Sequence, residues 1–86
     1  MSQIKTEKVE LKKIPMGQRK YIGMLCLRRL ENKDNPATVD DLKRLLQNYI
    51  ETHENTDAAS WLLVHLKMDK LAHKNCRHYL IRLLYE

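Results

Sequence analysis

The sequence predicts a mainly α-helical domain whose last segment is either a small β-hairpin or a fourth helix. Three stretches repeat apolar residues at helical spacing, and polar or proline-containing loops separate them. Apolar residues make up 43% of the 86 residues and charged residues 31%, which are the proportions of a folded globular chain. A chain of this length forms one domain.

Residues 1–15 are a charged segment that precedes the domain, which we expect to span residues 16–86. Val9 and Leu11 alternate with charged residues, which is the pattern of a short edge strand. A flexible basic arm fits the same residues equally well. Pro15 then separates this segment from the first helix.

The first helix is predicted from about residue 18 to residue 32, with apolar residues so dense that most of its circumference should be buried. Gly23 costs this helix about 1 kcal/mol relative to alanine, and it can permit close contact with another helix. Arg28 and Arg29 stand near the carboxyl end, where cations complement the helix dipole.

The second helix has the clearest amphipathic pattern in the chain. Thr38 and Asp41 stand three residues apart, as in a capping box, after a loop-forming NKDNPA segment. The apolar positions follow at i, i+3, i+4, i+7 and i+8: Leu42, Leu45, Leu46, Tyr49 and Ile50.

The third helix is predicted to begin after Thr56, a good N-cap residue, with Asp57 in its first turn. A helical projection places one set of residues on the core side: Ala58, Ala59, Leu62, Leu63 and Leu66. The same projection places a second set towards the other side: Asp57, Ser60, Trp61, Val64, Lys67 and Met68.

The segment after Asp69 fits two structures. In a hairpin, residues 71–73 and 77–83 are strands around a turn at residues 74–76, although no glycine follows Asn75 to strengthen that turn. In a helix, the apolar residues repeat at i, i+3, i+4, i+7 and i+8: Cys76, Tyr79, Leu80, Leu83 and Leu84. The pattern alone slightly favours the helix.

From about residue 17 to residue 83 the order of elements resembles a winged helix-turn-helix domain. In that superfamily a short strand precedes the second helix, here at residues 37–39, and the leucine spacing from Leu66 to Leu71 is similar to the segment that opens the wing. Lys70 departs from the glycine often found there. The resemblance favours the hairpin, so the expected fold is a winged helix-turn-helix-like three-helix core, mainly α with a small β-hairpin. An all-α four-helix bundle is the alternative.

The net charge of +5 and the isoelectric point near 9.4 favour a polyanionic partner: nucleic acid, acidic lipid or acidic protein. An acidic middle, residues 31–56, separates two basic ends of the sequence. Two cysteines are too few for a disulfide framework, and no apolar run is long enough for a membrane span. We therefore expect an intracellular protein, cytoplasmic or nuclear, with no membrane partner.

Nucleic-acid binding is the first functional hypothesis, with duplex DNA preferred to RNA and transcription regulation as one role. The resemblance implies a third helix in the major groove and a wing along the backbone. The candidates are Ser60, His65, Lys67 and Lys70 on the helix, His73, Lys74, Arg77 and His78 on the wing, and Lys12, Lys13, Arg19 and Lys20 at the amino-terminal side.

A protein interface without nucleic acid is the alternative hypothesis. Trp61, Val64 and Met68 form an apolar stripe on the predicted outward side of the third helix. Trp61 would be its anchor, in a homodimer or with another protein, because tryptophan is enriched at binding hot spots.

Nothing in the sequence indicates an enzyme, a cofactor or a small-molecule substrate, since phosphate-loop, nucleophile-elbow and zinc-protease motifs are absent from it. His73, Cys76 and His78 have ligand-like spacing, with His65 on the preceding helix. We interpret this spacing as accidental, because a structural zinc site needs four ligands.

Overall fold

The computed structural model describes residues 10–86, which fold into four α-helices after one short 3-10 turn. The 3-10 turn is Leu11–Lys13. The helices are α1 (Met16–Leu30), α2 (Val39–Thr52), α3 (Asp57–Met68) and α4 (Ala72–Tyr85).

The expected winged-helix fold is wrong, because residues 10–86 contain no β-strand. The segment predicted as a hairpin, residues 71–83, lies almost entirely within α4, and Val39 of the predicted strand at residues 37–39 begins α2. The four-helix bundle, which was the alternative, fits the structure. The predicted edge strand falls partly on residues 1–9, which lie outside the described residues.

The helical pattern of the last segment prevails because it buries more apolar surface than a hairpin would. Five side chains on one face of α4 are buried: Ala72, Cys76, Leu80, Leu83 and Leu84. A hairpin would place alternate residues on opposite faces and so divide this set. No glycine or proline lies between residues 70 and 86 to form the tight turn.

The predicted starts of α2 and α3 are confirmed, whereas α1 begins and ends two residues earlier than predicted. The Asp41 backbone N–H donates to Thr38 Oγ1 at 3.2 Å, and the Thr38 N–H donates to Asp41 Oδ2 at 3.0 Å, so the capping box forms. Thr56 is the N-cap of α3, but its side chain makes no capping hydrogen bond. Asn55 has a φ of 55°, a left-handed conformation that asparagine tolerates, in the turn between α2 and α3.

Helices α1 and α4 pack closely in antiparallel orientation. The Arg19 side chain near the start of α1 reaches the last turn of α4, while Glu31 after α1 pairs with Arg77 near the start of α4 at 2.6 Å. Between these points a Cβ atom on Gly23 would lie 2.7 Å from Leu84 side-chain atoms. The predicted close helix contact at Gly23 is therefore confirmed.

Helix α3 is the most buried of the four helices, and it packs against α1, α2 and α4. Every residue from 58 to 63 is buried. The expected outward orientation of Trp61 is therefore wrong: this side chain is only 3% exposed. A helix surrounded by three others has no fully solvated side, and the dense AASWLL run was the sequence signal for it.

Candidate functional site: the basic end of the bundle

The fold separates charge along the bundle axis. One end combines the carboxyl halves of α1 and α3, the α1–α2 loop, the α3–α4 turn and the amino halves of α2 and α4; we call it the basic end. It holds nine Lys and Arg against five Asp and Glu, a net charge of +4. The opposite end holds five of each. All the net charge of residues 10–86 therefore lies at the basic end.

Seven of the nine cations at the basic end form no ion pair within residues 10–86: Arg28, Arg29, Lys33, Lys43, Lys67, Lys70 and Lys74. The other two are paired, Arg44 with Asp41 at 2.9 Å and Arg77 with Glu31 at 2.6 Å. Most of the positive charge is thus available to an external anion.

The α3–α4 turn at this end is organised by Asp69. Its carboxylate accepts hydrogen bonds from the Leu71 N–H at 2.8 Å, Asn75 Nδ2 at 2.9 Å and the Tyr79 hydroxyl at 2.6 Å. The Asn75 hydrogen bond, followed by those from Tyr79 and Leu71, holds the pKa of Asp69 below its ordinary value. Because all three donors lie within ten residues of Asp69 along the chain, the carboxylate fixes the turn that carries Lys70, His73 and Lys74.

Several residues predicted to bind nucleic acid meet at this turn, although as parts of helices and not as a wing. A shallow cavity of about 280 Å³ is lined by Lys43, Lys70 and His73 among others. A neighbouring cavity of about 410 Å³ is lined by His73, Lys74 and Arg77 among others. Two further candidates are exposed nearby: Lys67 in the last turn of α3 and His78 in the second turn of α4.

The remaining candidates for nucleic-acid binding lie elsewhere or are engaged in the core. Arg19 is 4% exposed, and its guanidinium donates to the backbone oxygens of Leu83 at 2.9 Å and Arg82 at 3.1 Å. It therefore caps the end of α4. Ser60 is buried in α3. The exposed lysines of the amino-terminal side, Lys12, Lys13 and Lys20, lie at the opposite end of the bundle.

His65 belongs to an aromatic cluster on the α3–α4 side. The centroid of its ring lies 4.1 Å from that of Trp61 and 5.3 Å from that of Tyr79. The Arg82 guanidinium carbon lies over the Trp61 ring, 5.3 Å from its centroid. His65 Nδ1 is 2.8 Å from the Trp61 carbonyl oxygen, so this nitrogen carries the proton and donates. These contacts fix the imidazole within the fold.

The predicted Trp61, Val64 and Met68 stripe does not form one exposed surface. Trp61 is buried, Val64 is half-buried and Met68 is 76% exposed. Only Trp61 is covered by α4, where Tyr79 lies against it with ring centroids 6.3 Å apart.

The His73, Cys76 and His78 spacing does not bring its three side chains together. Cys76 is buried in the core, whereas His73 and His78 are exposed on other sides of α4. Within residues 10–86 no three potential ligands are grouped closely enough to hold a metal ion. Burial raises the pKa of Cys76, and it raises that of Cys26 to about 12, so both thiols are protonated.

Sequence reasoning missed a cleft between α1 and α2. The two helices barely touch, because each packs mainly on α3 or α4. Arg28, Arg29 and Arg44 line the cleft, and the sequence pattern assigned the first two only to the helix dipole. Asp69 was also missed, although an aspartate shortly before a helix is a recognised start signal.

The chain matches none of the protein families, curated proteins or solved structures with which it was compared. None of the helices within residues 10–86 is both long enough and apolar enough to cross a membrane. The class supported by the structure is a small four-helix bundle with one strongly basic end.

Proposed function

We propose that this protein binds nucleic acid through the phosphate backbone at its basic end, with duplex DNA as the preferred ligand. The observation that carries the proposal is that the net charge of residues 10–86, +4, is concentrated at one end, where seven cations form no ion pair within those residues. Lysine and arginine side chains that neutralise phosphates release condensed counterions, which drives such binding.

The residues at the basic end favour a duplex over a single strand. Proteins that bind single strands stack bases on exposed aromatic side chains. The exposed tyrosines of residues 10–86, Tyr21 and Tyr85, lie in the amino half of α1 and the last turn of α4, away from the basic end. Tyr79 is half-buried and donates to Asp69. Cations without an exposed tyrosine or tryptophan beside them suit the regular phosphate rows of a duplex.

The test is a fluorescence-anisotropy titration with random-sequence duplex DNA at about 50 mM and about 200 mM salt, with duplex RNA and single-stranded DNA in parallel. The proposal predicts tight binding at low salt and a marked loss at high salt. It is overturned by absence of binding at low salt or by affinity that does not change with salt. Equal affinity for the single strand would overturn the preference for a duplex.

A pair of matched variants locates the binding surface. Lys70→Gln combined with Lys74→Gln removes two charges from the basic end, and Lys12→Gln combined with Lys13→Gln removes two exposed charges from the opposite end. If both basic-end lysines contact phosphate, the slope of log K against log salt falls by about 2 for the first pair only. Equal effects of the two pairs would show attraction by net charge alone and would contradict an assigned surface.

A further inference from the structure

The cleft between α1 and α2 has the dimensions and charge of a small-ligand site. Its volume is about 620 Å³, within the range of roughly 300–1,000 Å³ that ligand pockets occupy. A hydrogen bond from the Ala37 N–H to the Arg29 oxygen, 2.9 Å long, joins its two walls near the α1–α2 loop. The Tyr21 and Tyr49 rings, 6.1 Å apart, bring α1 and α2 together again further along.

The charged lining of the cleft is three arginines and one aspartate, a net charge of +2: Arg28, Arg29, Arg44 and Asp41. Asp41 already accepts hydrogen bonds from the Thr38 N–H and from Arg44. Arg28 and Arg29 form no ion pair within residues 10–86. A net charge of +2 complements a phosphate monoester, which carries roughly −1.5 to −2 at neutral pH.

The polar loop beside the arginines adds neutral donors. Asn32 Oδ1 accepts from the backbone N–H groups of Asp34 at 2.9 Å and Asn35 at 3.0 Å, which fixes the loop. This leaves the Asn32 amide NH₂ group as a donor on the cleft wall, with the Asn35 side chain also in the lining. Leu25 and Leu45 supply apolar surface for the organic part of a ligand.

We infer that this cleft binds a terminal phosphate monoester, held by the guanidinium groups of Arg28, Arg29 and Arg44. Arginine suits this role because its planar fork can donate two parallel hydrogen bonds to phosphate oxygens. The monoester can be a free nucleotide or the 5′-phosphorylated end of a strand. The inference does not depend on the proposed function, because a free nucleotide fills the cleft without any duplex at the basic end.

The first experiment follows backbone amide chemical shifts of the full chain during titration with AMP, inorganic phosphate and adenosine. We expect AMP and phosphate to shift amides on both sides of the cleft, in residues 25–45, and adenosine to leave them unchanged. Shifts spread over the whole basic end, shifts with adenosine alone or no shifts would overturn the inference.

Matched double variants separate the cleft from the general positive field. Arg28→Gln with Arg29→Gln removes two charges from the cleft, whereas Lys33→Gln with Lys74→Gln removes two charges from the same end outside its lining. We expect the arginine pair to weaken AMP binding by about tenfold for each guanidinium lost and the lysine pair to change it little. Equal weakening of AMP binding by the two pairs would overturn a specific site. If the arginine pair lowers the melting temperature but leaves AMP affinity unchanged, the inference is also overturned, because Arg28 and Arg29 then act only on the helix dipole.

A third measurement identifies the source of the monoester by comparing 5′-phosphorylated with 5′-hydroxyl duplex DNA. A preference for the phosphorylated end that Arg28→Gln with Arg29→Gln abolishes would identify a strand end. AMP binding in the cleft without such a preference would identify a free nucleotide. If random duplex fails to bind while AMP binds, the proposed function fails and the cleft site stands.

Discussion

Replacement of Gly23 by alanine tests the closest contact between α1 and α4. The new Cβ atom would lie 2.7 Å from Leu84 Cγ and Cδ2, whereas favourable carbon–carbon contacts are about 3.5–4.0 Å long. Leu84 must therefore move by about 1 Å, and overpacking of this kind costs about 1–3 kcal/mol. The higher helix propensity of alanine offsets about 1 kcal/mol of this cost. We expect Gly23→Ala to destabilise the protein by up to about 2 kcal/mol.

Gly17→Ala is the matched control, because a Cβ atom on Gly17 meets nothing within 4 Å. It changes the propensity of the same helix without a clash, so it should be neutral or stabilise the protein by up to about 1 kcal/mol. Subtraction of the two effects leaves a contact cost of about 1–3 kcal/mol, or a difference of at least about 4 °C in melting temperature.

The assay is thermal and urea unfolding followed by circular dichroism for the two single variants and for Gly23→Ala combined with Leu84→Ala. If the contact is responsible, Gly23→Ala should no longer be destabilising once the Leu84 side chain is truncated. The reasoning is refuted if Gly23→Ala stabilises the protein as much as Gly17→Ala does, or if it costs the same in both Leu84 backgrounds.

Four further predictions follow from the buried and hydrogen-bonded residues. Trp61→Ala should cost about 3–5 kcal/mol in urea unfolding because the indole is 3% exposed in the centre of the bundle; self-association lost at unchanged stability would contradict this. Arg19→Met should cost about 1.5–3 kcal/mol through lost charged hydrogen bonds, while duplex affinity per folded molecule stays unchanged. The folded pKa of Asp69 is lowered from 3.8, so the ionised carboxylate stabilises the protein above that value, and this contribution is lost as the pH falls through the folded pKa. Asp69→Asn should therefore lose less melting temperature on acidification than the unsubstituted protein does. An identical dependence of melting temperature on pH in the two proteins would contradict this. Cys26 and Cys76 should react with a thiol reagent only on unfolding, and fast labelling of the native protein would refute their burial.

The helix starts and the amphipathic helices could be predicted from local sequence because their causes are local. The Thr38 and Asp41 capping box involves residues three apart, and the Leu42 to Ile50 pattern involves one helix. The last segment was different, since its residues fit both a helix and a hairpin, and the resemblance to a winged helix favoured the wrong one. The choice depends on which arrangement buries Leu80 and Leu83 against the rest of the bundle.

The candidate site could be predicted only in part. Lys70, His73, Lys74 and Arg77 were chosen from the sequence, and they meet at the α3–α4 turn, although within a different fold. Arg19 could not be recognised as a buried cap of α4, because its acceptors lie more than 60 residues away along the chain. Likewise, the cleft that Arg28 shares with Arg44 exists only because α1 and α2 pack on other helices.

The sequence by itself determined an α-rich chain, the start of α2 and an overall positive charge. These properties follow from spacing, capping chemistry and composition, which act over a few residues or sum over the chain. Only the tertiary structure decided that the charge gathers at one end, although the sequence places an acidic middle between two basic segments. Antiparallel helices bring residues from distant segments to the same end of the bundle, so the charge of a surface depends on the fold and not on the order of residues in the chain.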